Sequence, residues 1–187
     1  MNESHLTFLA SPEWAQMLRD DLLPWLGSLG DLGDDLLEIG PGPGLTTDLL
    51  KDRASRVTAV ELDEDLARSL SARLAGTNVT VINTDATMTG LDADRFSAAA
   101  CFSMLHHVPS AEMQDRVFAE VHRVLAPGGI FATVDALDLE GIRVGHADDT
   151  FVPVDPETLG ARLEAAGFSD PVVDVGAYQF RAHAVKR

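Results

Sequence analysis

Glu38-Ile39-Gly40-Pro41-Gly42-Pro43-Gly44 sets a glycine at every second position, directly after the apolar run Leu36-Leu37-Glu38-Ile39 and directly before a helical-period segment over residues 45–54. Glycine tolerates positive φ and lets a ligand approach the backbone, and the first turn of the next helix offers unpaired N–H groups. A glycine turn alone is common, but this one carries an acid on the strand end and five Gly/Pro residues in succession, so it reads as a ligand loop. The dinucleotide fingerprint G-x-G-x-x-G fails here, because Leu45 stands where its third glycine belongs. Glu38 would repel a pyrophosphate and would favour a cationic group.

Outward from the loop, the runs Val57-Thr58-Ala59-Val60, Val79-Thr80-Val81-Ile82, Ala98-Ala99-Ala100-Cys101-Phe102 and Ile130-Phe131-Ala132-Thr133-Val134 alternate with helical segments over 64–74 and 111–125. Met113, Val117, Val121 and Leu125 fall at i+4 steps on one face of the latter. Strand and helix in this rhythm predict an α/β fold with a doubly wound, mostly parallel sheet. Upstream, Ser11-Pro12-Glu13 reads as N-cap, first helical residue and first-turn acid. Trp14, Met17, Leu18 and Leu22 then form an apolar stripe that Pro24 kinks or ends, with Trp14 read as core.

Downstream, residues 136–154 form a long connection of little periodicity, the length expected of a lid. Asp155-Pro156-Glu157 restarts a helix that Gly167 ends, and strands over 172–175 and 178–185, joined at Gly176-Ala177, make antiparallel neighbours. The expected architecture is a Rossmann-like seven-stranded sheet with an antiparallel C-terminal strand. A single domain is expected over residues 1–187: a helical cap over 1–33, a ligand-binding core over 34–135, then lid, helix and strands over 136–187.

The 187 residues are 45% hydrophobic and 24% charged, an ordinary globular composition. A net charge of −16 offers no attractive field to nucleic-acid phosphates or anionic lipid. No run approaches the roughly 18–20 apolar residues of a membrane span. The single cysteine, Cys101, has no disulfide partner within the chain and reads as a core thiol, and Met1-Asn2-Glu3-Ser4 lacks a leader's basic and apolar regions, which fits a cytoplasmic setting.

Glu38, Gly40, Gly42 and Gly44 resemble, position for position, the acid-x-Gly-x-Gly-x-Gly loop of the class I S-adenosylmethionine-dependent methyltransferases. The resemblance continues with Glu61 at the end of the second strand, Asp85-Ala86 after the third, Leu105-His106-His107-Val108-Pro109 after the fourth, and Arg123-Val124-Leu125-Ala126-Pro127-Gly128-Gly129 before the fifth. It covers nearly the whole chain, and with Leu163-Glu164-Ala165-Ala166-Gly167-Phe168 it is similar to the branch acting on small molecules. A Phe-Asp pair that the family often carries is replaced by Phe96-Ser97, a position read as structural.

The resemblance implies S-adenosylmethionine as cofactor, with Gly40, Pro41, Gly42, Gly44 and Ser103 around it and Glu38 near its cationic end. Glu61 would hold the ribose hydroxyls, Leu62 would pack on adenine, and Asp85 with the Ala86 N–H would take the adenine edge. Asp63 competes for the ribose but suits a helix cap, and Asp85 in Asn83-Thr84-Asp85 equally suits a turn. His107 is the candidate catalytic residue, as a general base or only as a packing or positioning group. His146, Asp148 and Asp149 are read as solvated loop residues, with no metal expected. The Asn/Asp-Pro-Pro-aromatic sequence of amino-directed nucleic-acid methyltransferases is absent, Ser103-Met104-Leu105-His106 standing in its place. The expected partner is therefore a small-molecule substrate, with no nucleic acid and no membrane insertion. A nicotinamide-dependent oxidoreductase and a non-enzymatic cofactor-binding module are the rival readings.

Overall fold

The computed structural model describes Thr7 and residues 9–187, and its centre is one seven-stranded sheet. In chain order the strands are β1 (Asp35–Ile39), β2 (Arg56–Glu61), β3 (Val79–Asn83), β4 (Phe96–Phe102), β5 (Leu125–Ala136), β6 (Ser169–Val175) and β7 (Gln179–Val185). Their spatial order is β3-β2-β1-β4-β5-β7-β6, with β7 antiparallel to both neighbours and the first five strands mutually parallel. The direction of winding reverses between β1 and β4, the point at which open α/β sheets leave a crevice at their carboxyl ends.

Both faces of the sheet are covered, which is why its central strands read as continuous apolar runs. Leu37, Ala99, Cys101 and Phe131 face one layer, made by α5 (Ala111–Val124) and α7 (Pro156–Ala165). Leu36, Ala98, Ala100 and Ala132 face the other, packed by Leu18, Leu22, Leu26 and Leu50. The alanine-rich β4 lies between β1 and β5, where burial rather than β-propensity decides its conformation. Cys101 is fully buried there, and its desolvated thiol is pushed well above the usual range.

Ser11 Oγ caps α1 (Pro12–Met17) by accepting from Trp14 N at 3.1 Å. Pro24 does not end this segment. A π-turn over Leu18–Leu22 leads into α2 (Leu23–Ser28), absorbing the missing proline donor before the helix resumes. Two segments are shorter than expected from the sequence: α3 spans Leu45–Leu50 and α4 spans Glu64–Arg73. β5, by contrast, begins five residues earlier than the run at Ile130, because Gly128 N and Gly129 O pair with Lys186 O and N at 2.6 and 2.9 Å. Gly128 supplies a positive φ of 83° in that irregular stretch, and the pairing with β4 shifts register between Phe96 and Ala98.

The connection after β5 is not wholly irregular, since it carries α6 (Glu140–Gly145). Asp155 caps α7 by accepting from Glu157 N at 2.9 Å, and Gly167 ends it at φ +105°. Among the described residues no helix is long and apolar enough to cross a membrane.

Candidate functional site

A cavity of about 410 Å³ opens at the carboxyl ends of β1, β2 and β4, within the range of ligand sites. The glycine loop forms its floor. Gly40 and Gly44 take φ +67° and +86°, and a Cβ on either would collide with Met104 or Leu70, so both backbone shape and packing require glycine. Arg73 of α4 holds the loop from outside, donating from Nη2 to Pro43 O at 3.0 Å and Gly44 O at 3.2 Å and pairing through Nη1 with Asp48 at 2.6 Å.

Glu61, at the end of β2, ties two backbone segments together: Oε2 accepts from Gly42 N and Oε1 from Asp63 N, each at 3.0 Å. A carboxylate oxygen can accept twice, so both retain capacity for a ligand's hydroxyls. Asp63 is the N-cap of α4, its Oδ1 accepting from Asp65 N and Leu66 N at 2.9 and 3.0 Å. Asp85 takes the turn role that the sequence offered and stands at the cavity wall. Its Oδ1 closes a turn onto Thr87 N and Oγ1, both at 2.8 Å, while the residue also lines the cavity. Leu62 is 71% exposed against the same space, an apolar side chain on which a flat ring can lie.

Gly40, Pro41, Gly42, Glu61, Leu62, Asp85, Ala86, Ser103 and His107 all line the cavity. Ser103, just beyond β4, adopts φ +52° and donates its N–H to Val134 O at 2.8 Å; a non-glycine residue held in this region stores strain of about 1 kcal/mol or more. Gly44 lies just behind the wall, shaping the loop. Glu38 also lies behind it, 1% exposed, accepting from the Thr46 hydroxyl. Burial raises its pKa to about 7, against the lowering effect of the Thr46 and Thr47 hydroxyls. The cationic end of a ligand would therefore meet Glu38 across the loop and not in direct contact.

His107 sits on a 3₁₀ turn, Leu105–His107, with Nδ1 3.1 Å from Thr150 O and 3.8 Å from Asp149 Oδ2. His106 points away from the cavity into the protein, its Nδ1 paired with Asp135 at the end of β5 and its N–H donating to the same carboxylate at 3.3 Å. Asp135, at the carboxyl end of β5, thus serves His106 and not the cavity. Among the cavity-lining residues that sequence reasoning did not assign to the site are Trp14, Met104, Met113, Asp149 and Thr150. Trp14, on the apolar stripe, packs against the core as that stripe implies and also lines the cavity.

The electrostatics are one-sided. Glu61, Asp63, Asp85 and Asp149 line the cavity, and none of its described lining residues is lysine or arginine. Such a wall suits a cation and opposes a diphosphate. The donor set therefore fits S-adenosylmethionine: carboxylates for ribose and amino donors, and a cationic rather than phosphorylated remainder.

Residues 37–133, just over half of the chain, match the family model described as "Methyltransferase domain". A ribosomal RNA small subunit methyltransferase A from Acidobacterium capsulatum is 47% identical over 68 residues, covering 35% of this chain and 24% of that protein. The chain spans about a quarter of the length of such curated relatives. Over its whole length it superposes on a SAM-dependent methyltransferase from Aquifex aeolicus, with a TM-score of 0.78 at 20% identity and 100% of both chains covered. A phosphoethanolamine N-methyltransferase 2 of Haemonchus contortus, solved in complex with S-adenosyl-L-methionine, shares the fold at TM-score 0.77 and 15% identity, over 89% of this chain and 52% of that one.

The relatives named for ribosomal RNA overturn the expectation of a small-molecule partner and no nucleic acid. Net charge is a sum over the chain and does not report on a local contact, and the missing Asn/Asp-Pro-Pro-aromatic sequence speaks only to one subset of nucleic-acid enzymes. With its glycine loop, its acids at successive strand ends and its 3-2-1-4-5-7-6 sheet, this chain belongs to the methyltransferase-domain family, the class I S-adenosylmethionine-dependent methyltransferases.

Proposed function

We propose that this chain, acting as one domain over residues 1–187, catalyses methyl transfer from S-adenosylmethionine to a nucleophilic atom of an acceptor that enters beside His107. The observation that carries this reading is the cavity over the glycine loop, whose described lining residues include four carboxylates and no lysine or arginine. When bound, the cofactor supplies an electrophilic methyl group on a sulfonium. Glu61 accepts from the ribose hydroxyls, Asp85 and the Ala86 N–H hold the adenine edge, and Leu62 packs on its face. Gly40, Pro41, Gly42 and Ser103 bring backbone close to the remainder, Gly44 holds the loop's shape, and Glu38 sets the charge beneath it.

His107 positions the acceptor. Its ring is fixed by Thr150 O, and alignment of nucleophile and methyl alone supplies much of the rate of a displacement at carbon. Trp14 from the cap and Asp149 and Thr150 from the lid segment close the cavity's other sides and exclude water. The acceptor class supported by the relatives' names is RNA, and the buried single thiol suits a reducing cytoplasm.

The test uses cofactor carrying a labelled methyl group, incubated with the chain and either total RNA or a protein- and RNA-free metabolite extract. Label in a ribosomal RNA nucleotide supports the RNA reading, and label only in a small product replaces that acceptor class. Calorimetry should show binding of S-adenosylmethionine and none of NAD. Tight NAD binding with no response to S-adenosylmethionine would refute the proposal. Cofactor binding without transfer to either fraction would make the chain a binding module.

A further inference from the structure

His106 and His146 stand 40 residues apart in the chain, yet their Nε2 atoms lie 3.1 Å apart. With His107 they bring one ring nitrogen each to within 4.8 Å of one another. Each ring also directs Nδ1 at an oxygen: His106 at Asp135 Oδ1, His107 at Thr150 O (3.1 Å) and His146 at Ile142 O (2.8 Å). An oxygen acceptor holds the ring hydrogen on Nδ1, so in each neutral imidazole the basic lone pair is on Nε2. A cation seated between the two rings can take both Nε2 atoms as ligands.

Three imidazoles with Nδ1 oriented by a buried carboxylate or a carbonyl reproduce the outer arrangement around divalent d-block ions. In a tetrahedral site with metal–nitrogen bonds of about 2.0–2.1 Å, neighbouring nitrogens stand about 3.3 Å apart. The His106–His146 pair already meets that spacing, and a ring nitrogen of His107 lies within 4.8 Å of both. Asp135, with a side chain 0% exposed, and Asp149 beside His107 supply compensating charge. The Phe151 ring, 4.5 Å from His146 and 5.5 Å from His106, keeps one side apolar.

We propose that His106, His107 and His146 bind a divalent, imidazole-preferring metal ion of the Zn(II) class. This replaces the expectation, from neighbouring loop acids, that His146 is solvated and metal-free. The ion ties two parts of the chain together: the turn after β4, which carries His106 and His107, and the segment after α6, which carries His146. Asp149 and Thr150, three and four residues beyond His146, line the cavity, so the same ion sets the position of its rim and of the His107 ring. The proposal rests on the histidine cluster and not on the methyl-transfer reading, and binding is measured without turnover.

The experiment strips the full chain with a chelator and titrates it with Co(II), then displaces Co(II) with Zn(II). One equivalent of Co(II) should bind with the visible bands of a tetrahedral, nitrogen-ligated ion, and Zn(II) should abolish them. His146→Ala should weaken binding by ~100-fold or more, and Asp135→Asn by ~10 to 100-fold. Zn(II) should also protect residues 140–150 of the wild-type chain from proteolysis, and not those of His146→Ala. His146→Ala removes a loop side chain and is checked for folding by circular dichroism; it carries the test even if Asp135→Asn fails to fold. Absence of a tetrahedral Co(II) spectrum, or equal binding by His146→Ala, overturns the proposal.

Discussion

Replacing Glu38 by glutamine should flatten the dependence of stability on pH between 5 and 8. In the folded protein burial raises this carboxyl from 4.5 to about 7, so in that window the folded state holds a proton that the unfolded chain has released. Stability from this group is therefore complete below pH 4.5 and is lost as pH rises through 7. Integrating the two titrations gives a loss of about 2–3 kcal/mol between pH 5 and pH 8. Glutamine keeps an oxygen for the Thr46 hydroxyl but cannot ionise. Urea unfolding at four pH values should show the wild type falling against Glu38→Gln by that amount, with the variant the more stable protein at pH 8. Parallel profiles would refute the assignment of a buried, raised carboxyl to Glu38. The same ionisation should couple to the cofactor: a cation across the loop favours the carboxylate, so wild-type affinity should rise from pH 6 to 8 with release of a proton, and Glu38→Gln should lose this trend.

Glu61→Ala should weaken S-adenosylmethionine binding by about 1–3 kcal/mol in calorimetry, since it removes a charged acceptor and releases Gly42 N and Asp63 N. Asp63→Ala should instead cost about 1 kcal/mol of stability through the α4 cap; if it weakens binding more than Glu61→Ala does, Asp63 is the ribose acid. His107→Ala should lower turnover by roughly 10-fold or more, equally from pH 6 to 9, as expected of lost positioning. A loss that disappears at high pH would make His107 a general base. Glu120→Ala should destabilise the fold by about 2 kcal/mol, because Glu120 accepts from Thr89 N and from Arg123 Nε and Nη2, all at 2.8 Å. These contacts, the Arg123 fork foremost, lower its pKa to about 2, so its contribution should be complete above pH 4.5, decline as pH falls below that value and vanish near pH 2 in acid unfolding.

The part of the cavity built on the glycine loop and the neighbouring strand ends was legible because its determinants are local. The glycine loop, Glu61, Asp63 and Asp85 each act within a few residues of a strand end, and strand ends are marked by apolar runs. The register of β5 was not legible, since pairing of Gly128 and Gly129 with Lys186 is made across the sheet from more than 50 residues away. The meeting of His106 with His146 is of the same kind: it is closed by α6, a six-residue helix too short to show a period. Glu38 illustrates a third limit. Its place on β1 was readable, but whether the carboxyl enters the cavity or sits beneath the loop depends on the Thr46 hydroxyl that captures it.

β7 follows every other strand in the chain and yet occupies an interior position, between β5 and β6. Until its residues are available, β5 presents a long open ladder and β6 has no partner in the sheet. During synthesis, the nascent protein therefore passes through a stage with the cofactor end formed and a sticky β5 margin bare. Removing residues 179–187 should arrest it there, yielding a product that captures other strands and precipitates rather than one that merely lacks a tail.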